Sequence, residues 1–448
     1  MKGKSFELYV LPGILIVLLF LPHLLFFDNY YVDLEPLYVD AASEIAAHDF
    51  DANLSAYFSR IGNPVFTSLI LSVSYKLFWE SPAISRLTIF LLSLVFSLFL
   101  YFYLRNKEGY FVSFVSALLV VVNPLFIVYS QHVSANVSFM VFSSISLLLL
   151  FFAHSRKGEI ISSIMLGISL ATKYVTTILF PIVFIYSFVR SKVSKHFSKR
   201  RLFSLIWFNI WYFALSLIVS IPIISIVFCF QNTILTSTLA STHSLNVAMF
   251  IPRFFAYLLW LGLFIGPFCL VFIFDLWRKI GRKKFLILFF GLSALTLAVT
   301  FFFPISSLHI QSGVFGEMNL GWVESAVPSP YLSLAFFFVL LVAELFIASI
   351  IFDLKYSKDE KTKRLFFWIV IPILLMSFTR VANRYMLVML VPLSLYMALV
   401  TRRMYSGRTK LFVLAVLVLH ALIFLSVGSY SNYYLHQRGL EGSVAIQE

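Results

Sequence analysis

LYVLPGILIVLLFLPHLLFF, residues 8–27, runs directly into DNYYVDLEPLYVDAA, residues 28–42, and the junction between the two decides how the whole chain is read. About twenty apolar residues are enough to cross the ~30 Å hydrocarbon core of a bilayer. Lys2 and Lys4 precede this stretch and no small-residue cleavage site follows it. It therefore reads as a retained membrane span, with the N-terminus on the cytoplasmic side. The acids begin at its outer end, so the first outside loop carries a concentrated negative charge.

The rest of the chain extends this pattern. Of 448 residues, 60% are hydrophobic, 18% aromatic and 12% charged, with a mean hydropathy of +0.94. Soluble domains carry about 25% charged residues, so an all-α polytopic membrane protein is expected. Further spans read at 83–104, 110–129, 135–153, 159–172, 174–189, 203–228, 254–274, 285–304, 331–352, 365–379, 384–400 and 411–428, which makes thirteen. A transmembrane domain over 1–428 and a short outside tail over 429–448 follow.

The formal charge of +14 is explained by topology. Loops read as inside hold 26 of the 34 Lys and Arg against 7 of the 20 Asp and Glu, or +19, leaving −5 for everything else. That asymmetry fits the positive-inside rule with N-in and C-out. It also supplies an attraction to anionic membrane lipids, so the charge requires no nucleic acid partner. Cys229 and Cys269 flank separate apolar stretches and support neither a disulfide framework nor a cysteine-based metal site.

The segment 28–82 is the longest outside loop, and loops of that length are usually functional. Pro36 suits the first position of a helix. Leu37, Ala41 and Ile45 then share one face, while Asp40, Glu44 and His48 share another at i, i+4 spacing. A short outer-surface helix results. The acidic stripe offers carboxylate and imidazole ligands to a divalent metal ion, the one cofactor the residues suggest, although such stripes are more often solvated faces. Asn63-Pro64 to Trp79 is too short to span and reads as a second surface helix. If it did span, every later loop would invert.

Cations at the outer boundary are candidate phosphate binders, because they oppose a general outside excess of acid. These are Arg380 and Arg384 in the turn Thr379 to Tyr385, Lys173 in another turn, and Arg60 and Arg86; lipid anchoring is the plainer alternative for all of them. Two longer outside loops, 230–253 and 306–330, could line a cleft. The second holds His309, Glu317, Trp322 and Glu324 as acceptor or sugar contacts. Glu344 and His420 lie inside spans, where polar groups are expensive and often functional. Asn53-Leu54-Ser55 and Asn136-Val137-Ser138 match the N-glycosylation pattern, which is too short to establish modification.

Several segments, in order, resemble membrane glycosyltransferases of the GT-C fold that use polyprenyl-phosphate sugars, notably aminoarabinose transferases and protein O-mannosyltransferase relatives. They are Asp33-Leu34-Glu35-Pro36-Leu37-Tyr38 to Ala42, Asn63-Pro64-Val65, Glu80-Ser81-Pro82 to Arg86-Leu87, Asn123-Pro124 to Ser130, Gly167 to Tyr174, and Arg384-Tyr385 followed by Pro392. Thirteen spans also suits that fold. The resemblance implies an enzyme that transfers a sugar from a dolichyl or undecaprenyl phosphate to a lipid, glycan or protein acceptor on the outer face, with inversion. Asp33 or Glu35 would be the catalytic base, and Arg384, Tyr385, Lys173, Arg380, Arg86 and Arg60 would neutralise the donor phosphate. The pattern departs in two places. Leu34 splits the acidic pair, and Gly62-Asn63 stands where aminoarabinose enzymes have a lysine before a double proline. The second departure disfavours aminoarabinose transfer. No large soluble segment follows the last span, unlike oligosaccharyltransferases.

A secondary transporter is the alternative from another class, but transporters place polar groups on broken helices near the midplane and repeat their halves. Here charge concentrates at one boundary and no repeat is evident. A polysaccharide polymerase or ligase would generally carry its large outside loop later in the chain. Composition suggests a prokaryotic plasma membrane.

Overall fold

A computed structural model describes residues 6–24, 35–48, 54, 64–153, 155–190, 199–230, 250–302, 329–356, 360–378 and 383–444. The described chain is helical and without strands. In order, its α-helices are α1 (Leu11–Phe20), α2 (Glu35–His48), α3 (Phe66–Leu77), α4 (Pro82–Glu108), α5 (Tyr110–Val121), α6 (Pro124–Tyr129), α7 (Ala135–Phe152), α8 (Arg156–Thr172) and α9 (Phe180–Arg190). They continue as α10 (Lys199–Phe230), α11 (Phe250–Ile265), α12 (Cys269–Ile280), α13 (Arg282–Phe302), α14 (Ser329–Tyr356), α15 (Glu360–Ser377), α16 (Leu387–Met404) and α17 (Lys410–Val444). The segment expected as a tail from residue 429 is thus helical through Val444.

Eight helical segments among the described residues are long and apolar enough to cross a membrane: Pro82–Glu108, Ala135–Phe152, Leu202–Ile223, Phe250–Ile280, Arg282–Phe301, Ser333–Tyr356, Leu387–Met404 and Lys410–Tyr433. Each overlaps an expected span. The other five expected spans fall short for local reasons. The first begins as a π-helix at Phe6–Val10, and its α-helical part is only ten residues. The 110–129 stretch breaks at Asn123-Pro124, where the Asn123 carboxamide accepts the Leu125 N–H at 3.0 Å and Pro124 starts α6. The 174–189 stretch opens with a 3-10 turn, Tyr174–Leu179. α8 and α15 begin on charged turns, Arg156 to Glu159 and Glu360 to Arg364, which leaves each a shortened apolar part.

The chain divides into two compact units. One comprises His23–Phe96, Tyr129–Ser244 and His436–Glu448. Inside it, α2 and α3 pack on each other through Tyr38, Val39, Ala41, Ala42, Ile45, Leu71 and Tyr75, with Val133 and Ala135 in the same apolar cluster. Ala41 and Ile45 are buried, as the helical spacing requires, and Asp40 and His48 are exposed. α7, α8 and α10 pack on one another within this unit. With little hydrophobic drive between helices in lipid, close packing and hydrogen bonds must hold them together. Ser162 Oγ lies 2.6 Å from the Tyr212 hydroxyl, and Ser163 Oγ donates to the Tyr212 carbonyl at 2.6 Å. At Gly167 the α8 backbone comes so near α10 that a Cβ would sit 2.4 Å from the Ser216 carbonyl oxygen.

The second unit comprises Met1–Pro22, Ser97–Val128 and Leu245–Leu435. α5 lies against α16, and α11 against α14. At one end of its helices, Asp275 and Asp353, both buried, share Lys279 at 2.5 Å each and Arg403 at 3.2 and 2.7 Å. The Tyr396 hydroxyl donates to Asp353 at 2.7 Å. Four charges of balanced sign thereby tie α12, α14 and α16 together.

Candidate functional site

The candidate site lies in the first unit, where the outer-loop helices meet the start of α4 and the segment 129–136. Glu35 is the first residue of α2, and its carboxylate is 1% exposed. Oε2 takes a bond from Arg86 Nη2 at 3.0 Å, and Oε1 takes one from the Val133 N–H at 2.8 Å. Arg86, in the first turn of α4, is itself fully buried. The neighbouring structure fixes that turn, since the Tyr75 hydroxyl lies 2.6 Å from Ser85 Oγ and Ser68 Oγ donates to the Tyr38 carbonyl at 3.1 Å. Burial alone would raise the Glu35 carboxyl; the His132 imidazole and the Arg86 guanidinium outweigh it, and with the Val133 bond they hold the group below the usual carboxylate range.

The segment after α6 is pinned from several sides. His23 Nε2 lies 2.8 Å from Ser130 Oγ, and the His23 ring packs on Phe90. Ser134 caps α7, accepting the Asn136 N–H at 3.4 Å and its side-chain amide at 3.0 Å. Lys173 is the residue that ends α8, where a cation complements the helix dipole. Its Nζ donates to Asn136 Oδ1 at 2.6 Å, and only 6% of the residue is exposed. Asn136 is buried within this network and is not an open glycosylation acceptor.

Three residues singled out in the sequence, Glu35, Arg86 and Lys173, therefore meet this one segment or its direct partners. Arg86 is buried and bonds Glu35, a partner that its place at the start of a span did not announce. His132 was missed. It is 7% exposed, Nδ1 is sealed without a hydrogen bond among the described residues, and the ring stands edge-on to Tyr129 at 6.1 Å. A lone histidine between two spans carries no spacing signal that could have marked it.

On the acidic stripe of α2, His48 Nδ1 pairs with Glu44 Oε2 at 3.2 Å. Burial first, then the Glu80 and Glu44 charges, raise the Asp40 carboxyl. Among the described residues no group of three or more His, Cys, Asp or Glu is arranged to hold a metal ion. In the other unit, Tyr385 is buried in the 3-10 turn Asn383–Met386 that leads into α16. His420 is buried against Phe268 and Phe424. The side chain of Arg384, and all of Asp33, Arg60, Arg380, His309, Glu317, Trp322 and Glu324, lie outside the described residues.

Residues 62–226 match the family described as dolichyl-phosphate-mannose-protein mannosyltransferase. No curated protein matches the chain by sequence. In structure it is similar to ArnT from Cupriavidus metallidurans bound to undecaprenyl phosphate, with a TM-score of 0.52 and 16% identity, covering 98% of this chain and 79% of that one. It is also similar to the archaeal oligosaccharyltransferase AglB from Archaeoglobus fulgidus, in complex with an inhibitory peptide and a dolichol-phosphate, with a TM-score of 0.51 and 13% identity. That likeness covers 97% of this chain but 56% of AglB, and at such identities it speaks for the fold alone. The partial family match and the folds of these two solved structures are what the chain is similar to, and both agree with the resemblance read from the order of the sequence motifs.

Proposed function

We propose that the chain transfers a sugar, with mannose the first to test, from a polyprenyl monophosphate to an acceptor hydroxyl at the outer face of a prokaryotic plasma membrane. In the transfer step the acceptor oxygen bonds to the anomeric carbon while the bond from that carbon to the phosphate oxygen breaks. The electron pair leaves with the polyprenyl phosphate, and a carboxylate takes the acceptor's proton. Asp33 is assigned this base role. Glu35 is instead the anchor that fixes the start of α2, two residues downstream, because both of its oxygens are engaged and it is shut from solvent.

That division of roles carries the proposal: of two neighbouring acids, one is locked in a buried ion pair, which leaves the other for chemistry. Lys173, in the same unit as the acidic loop helix, supplies positive charge near the departing phosphate. Charge neutralisation in this reading uses the chain's own cations.

The test is release of polyprenyl phosphate from mannosyl, glucosyl and aminosugar donors by the purified protein in liposomes containing a lipid extract as acceptor source. Turnover that disappears in Asp33→Asn but survives in part in a folded Glu35→Gln supports the reading. Full turnover in Asp33→Asn removes Asp33 from the base role. Failure of the wild type to bind any of the donors would reject the activity and turn attention to solute transport.

A further inference from the structure

Two short turns of the second unit meet at one end of its helices. Arg278 and Lys279 close α12, Gly281 turns the chain, and Arg282, Lys283 and Lys284 open α13. Gly281 has a φ of +78°, which L side chains rarely adopt, and nothing lies within 4 Å of a Cβ built there, so the turn is tight and open on its outer side. The other turn leads from Arg403 and Met404 at the end of α16 to Lys410 at the start of α17. Arg403 reaches Asp275 of α12 at 3.2 Å, and Arg278 Nη1 lies 3.9 Å from Met404 Sδ. These contacts gather cations from two distant parts of the sequence into one patch.

The charge of the patch is not balanced within the unit. Asp275 and Asp353 are already shared by Lys279 and Arg403. Among the described residues Arg278, Arg282, Lys283, Lys284 and Lys410 form no ion pair with a carboxylate, and all of them are exposed. The thioether that Arg278 meets is a weak acceptor, which leaves its guanidinium fork available. Cations in the first turn of α13 also add to the positive end of the helix dipole. Orientation in a membrane asks only that such loops be basic. It does not ask two of them to converge without acids between them.

The depth of the patch is set by its helices. Phe250–Ile280, Arg282–Phe301 and Lys410–Tyr433 are each long and apolar enough to cross a membrane, and the unpaired cations lie at their ends. Trp277 stacks on Phe285 and remains 44% exposed, as aromatic residues do at a membrane–water boundary. Phe274, one helical turn before Arg278, packs on Phe412 of α17 at 5.8 Å, and Leu270, a turn deeper, is exposed.

We infer that this patch binds an anionic phospholipid with two phosphate groups, of the diphosphatidylglycerol class. At the ends of spans the phosphates within reach are those of lipid headgroups, and basic pockets between spanning helices suit such lipids. The exposed surface of Leu270, Phe274 and Phe412 lies where the acyl chains would run. One phosphodiester carries a single charge and cannot satisfy both turns. Two phosphates on a short linker can take Arg278 and the start of α13 together. The inference stands apart from the glycosyl-transfer reading, and its test does not depend on turnover.

The test is native mass spectrometry of the purified chain in detergent, titrated separately with tetraoleoyl cardiolipin, dioleoyl phosphatidylglycerol and dioleoyl phosphatidylcholine. One cardiolipin should be retained at a concentration about tenfold below that needed for phosphatidylglycerol, with phosphatidylcholine weakest. Arg278→Gln combined with Arg282→Gln should lower cardiolipin affinity by about tenfold or more. Arg156→Gln combined with Lys157→Gln removes the same charge from exposed residues at the start of α8 and should leave that affinity unchanged. Each variant is first matched to the wild type in thermal unfolding. Equal losses in the two double variants would reduce the binding to a general attraction and overturn the inference. So would equal retention of cardiolipin and phosphatidylglycerol at matched phosphate. Retention of inorganic diphosphate in place of cardiolipin would also overturn it, because the ligand would then be a soluble anion.

Discussion

Glu35 and Arg86 are both buried almost completely and pair at 3.0 Å, so each helps compensate the other's charge. Removing one partner of such a pair commonly costs ~3–5 kcal/mol, while replacing both by apolar groups is often neutral. Glu35→Gln retains an acceptor for Val133 and Arg86, so a loss of about 3 kcal/mol is expected. Glu35→Met with Arg86→Met should recover most of it, as read by thermal unfolding in detergent. The same pair sets a pH dependence. Because the folded-state carboxyl is held below its ordinary value of 4.5, its stabilisation is complete above that value and fades as pH falls through the lower folded one. The stability gap between wild type and Glu35→Gln should therefore stay constant from neutral pH down to about 5 and close only in stronger acid. A gap that closes between neutrality and pH 5 would mean that the carboxylate is not held low.

His132 gives a second test at this scale. Its sealed Nδ1 and its proximity to Glu35 make it part of the electrostatic support for the anchor. His132→Leu should weaken the anchor and lower turnover by roughly tenfold, with smaller losses in His132→Gln. Equal turnover in wild type and His132→Leu would remove it from the site. The acids were legible in the sequence because they cluster after a span and before a proline. The pairing of Glu35 was not, because its partner is 51 residues away and a long-range pair leaves no local pattern.

At the scale of elements, hydrophobic periodicity located the helices well and misjudged their continuity. The α2 helix follows from Pro36 and the spacing of Ala41 and Ile45, and α3 follows from a run too short to span. Breaks such as Asn123-Pro124 and the 3-10 start at Tyr174 depend on local capping and packing, to which a hydropathy window is blind. Gly167 shows the limit from the other side. In the sequence it is one letter of a turn motif, whereas in the fold it lies inside α8 and admits the α10 backbone. Gly167→Ala should destabilise by about 1–3 kcal/mol, since the atom it meets is a main-chain oxygen that cannot rotate away. Gly291 on α13 has nothing within 4 Å of its would-be Cβ. Gly291→Ala should therefore be neutral or stabilise by up to ~1 kcal/mol through helix propensity. Similar thermal shifts in the two variants would reject the close-approach account.

For the whole molecule, the governing variable is which loops face the cytoplasm. Eight long spans do not by themselves give an orientation, and the shorter apolar helices do not settle it by length. Charge does: crossing loops with Lys and Arg in excess stay inside. On that basis we propose that the basic run around residues 190–201 is cytoplasmic and that the Thr- and Ser-rich 230–253 segment is outside with the Asp33 loop. The arrangement depends on α3 remaining at the surface. At twelve residues α3 is ~18 Å long, well short of the ~30 Å core, and its end exposes Leu77, Phe78 and Trp79 as an interfacial helix would. In a background with Cys229 and Cys269 replaced by Ser, single cysteines at Ser194 and Ser237 separate the two arrangements. In intact cells a membrane-impermeant maleimide should label Ser237→Cys, whereas Ser194→Cys should react only after permeabilisation. The reverse pattern would mean that one more segment crosses early in the chain. It would also put either the proposed base or the loops meant to serve it on the wrong side of the membrane, and a transferase working at the outer face could not be built from this chain.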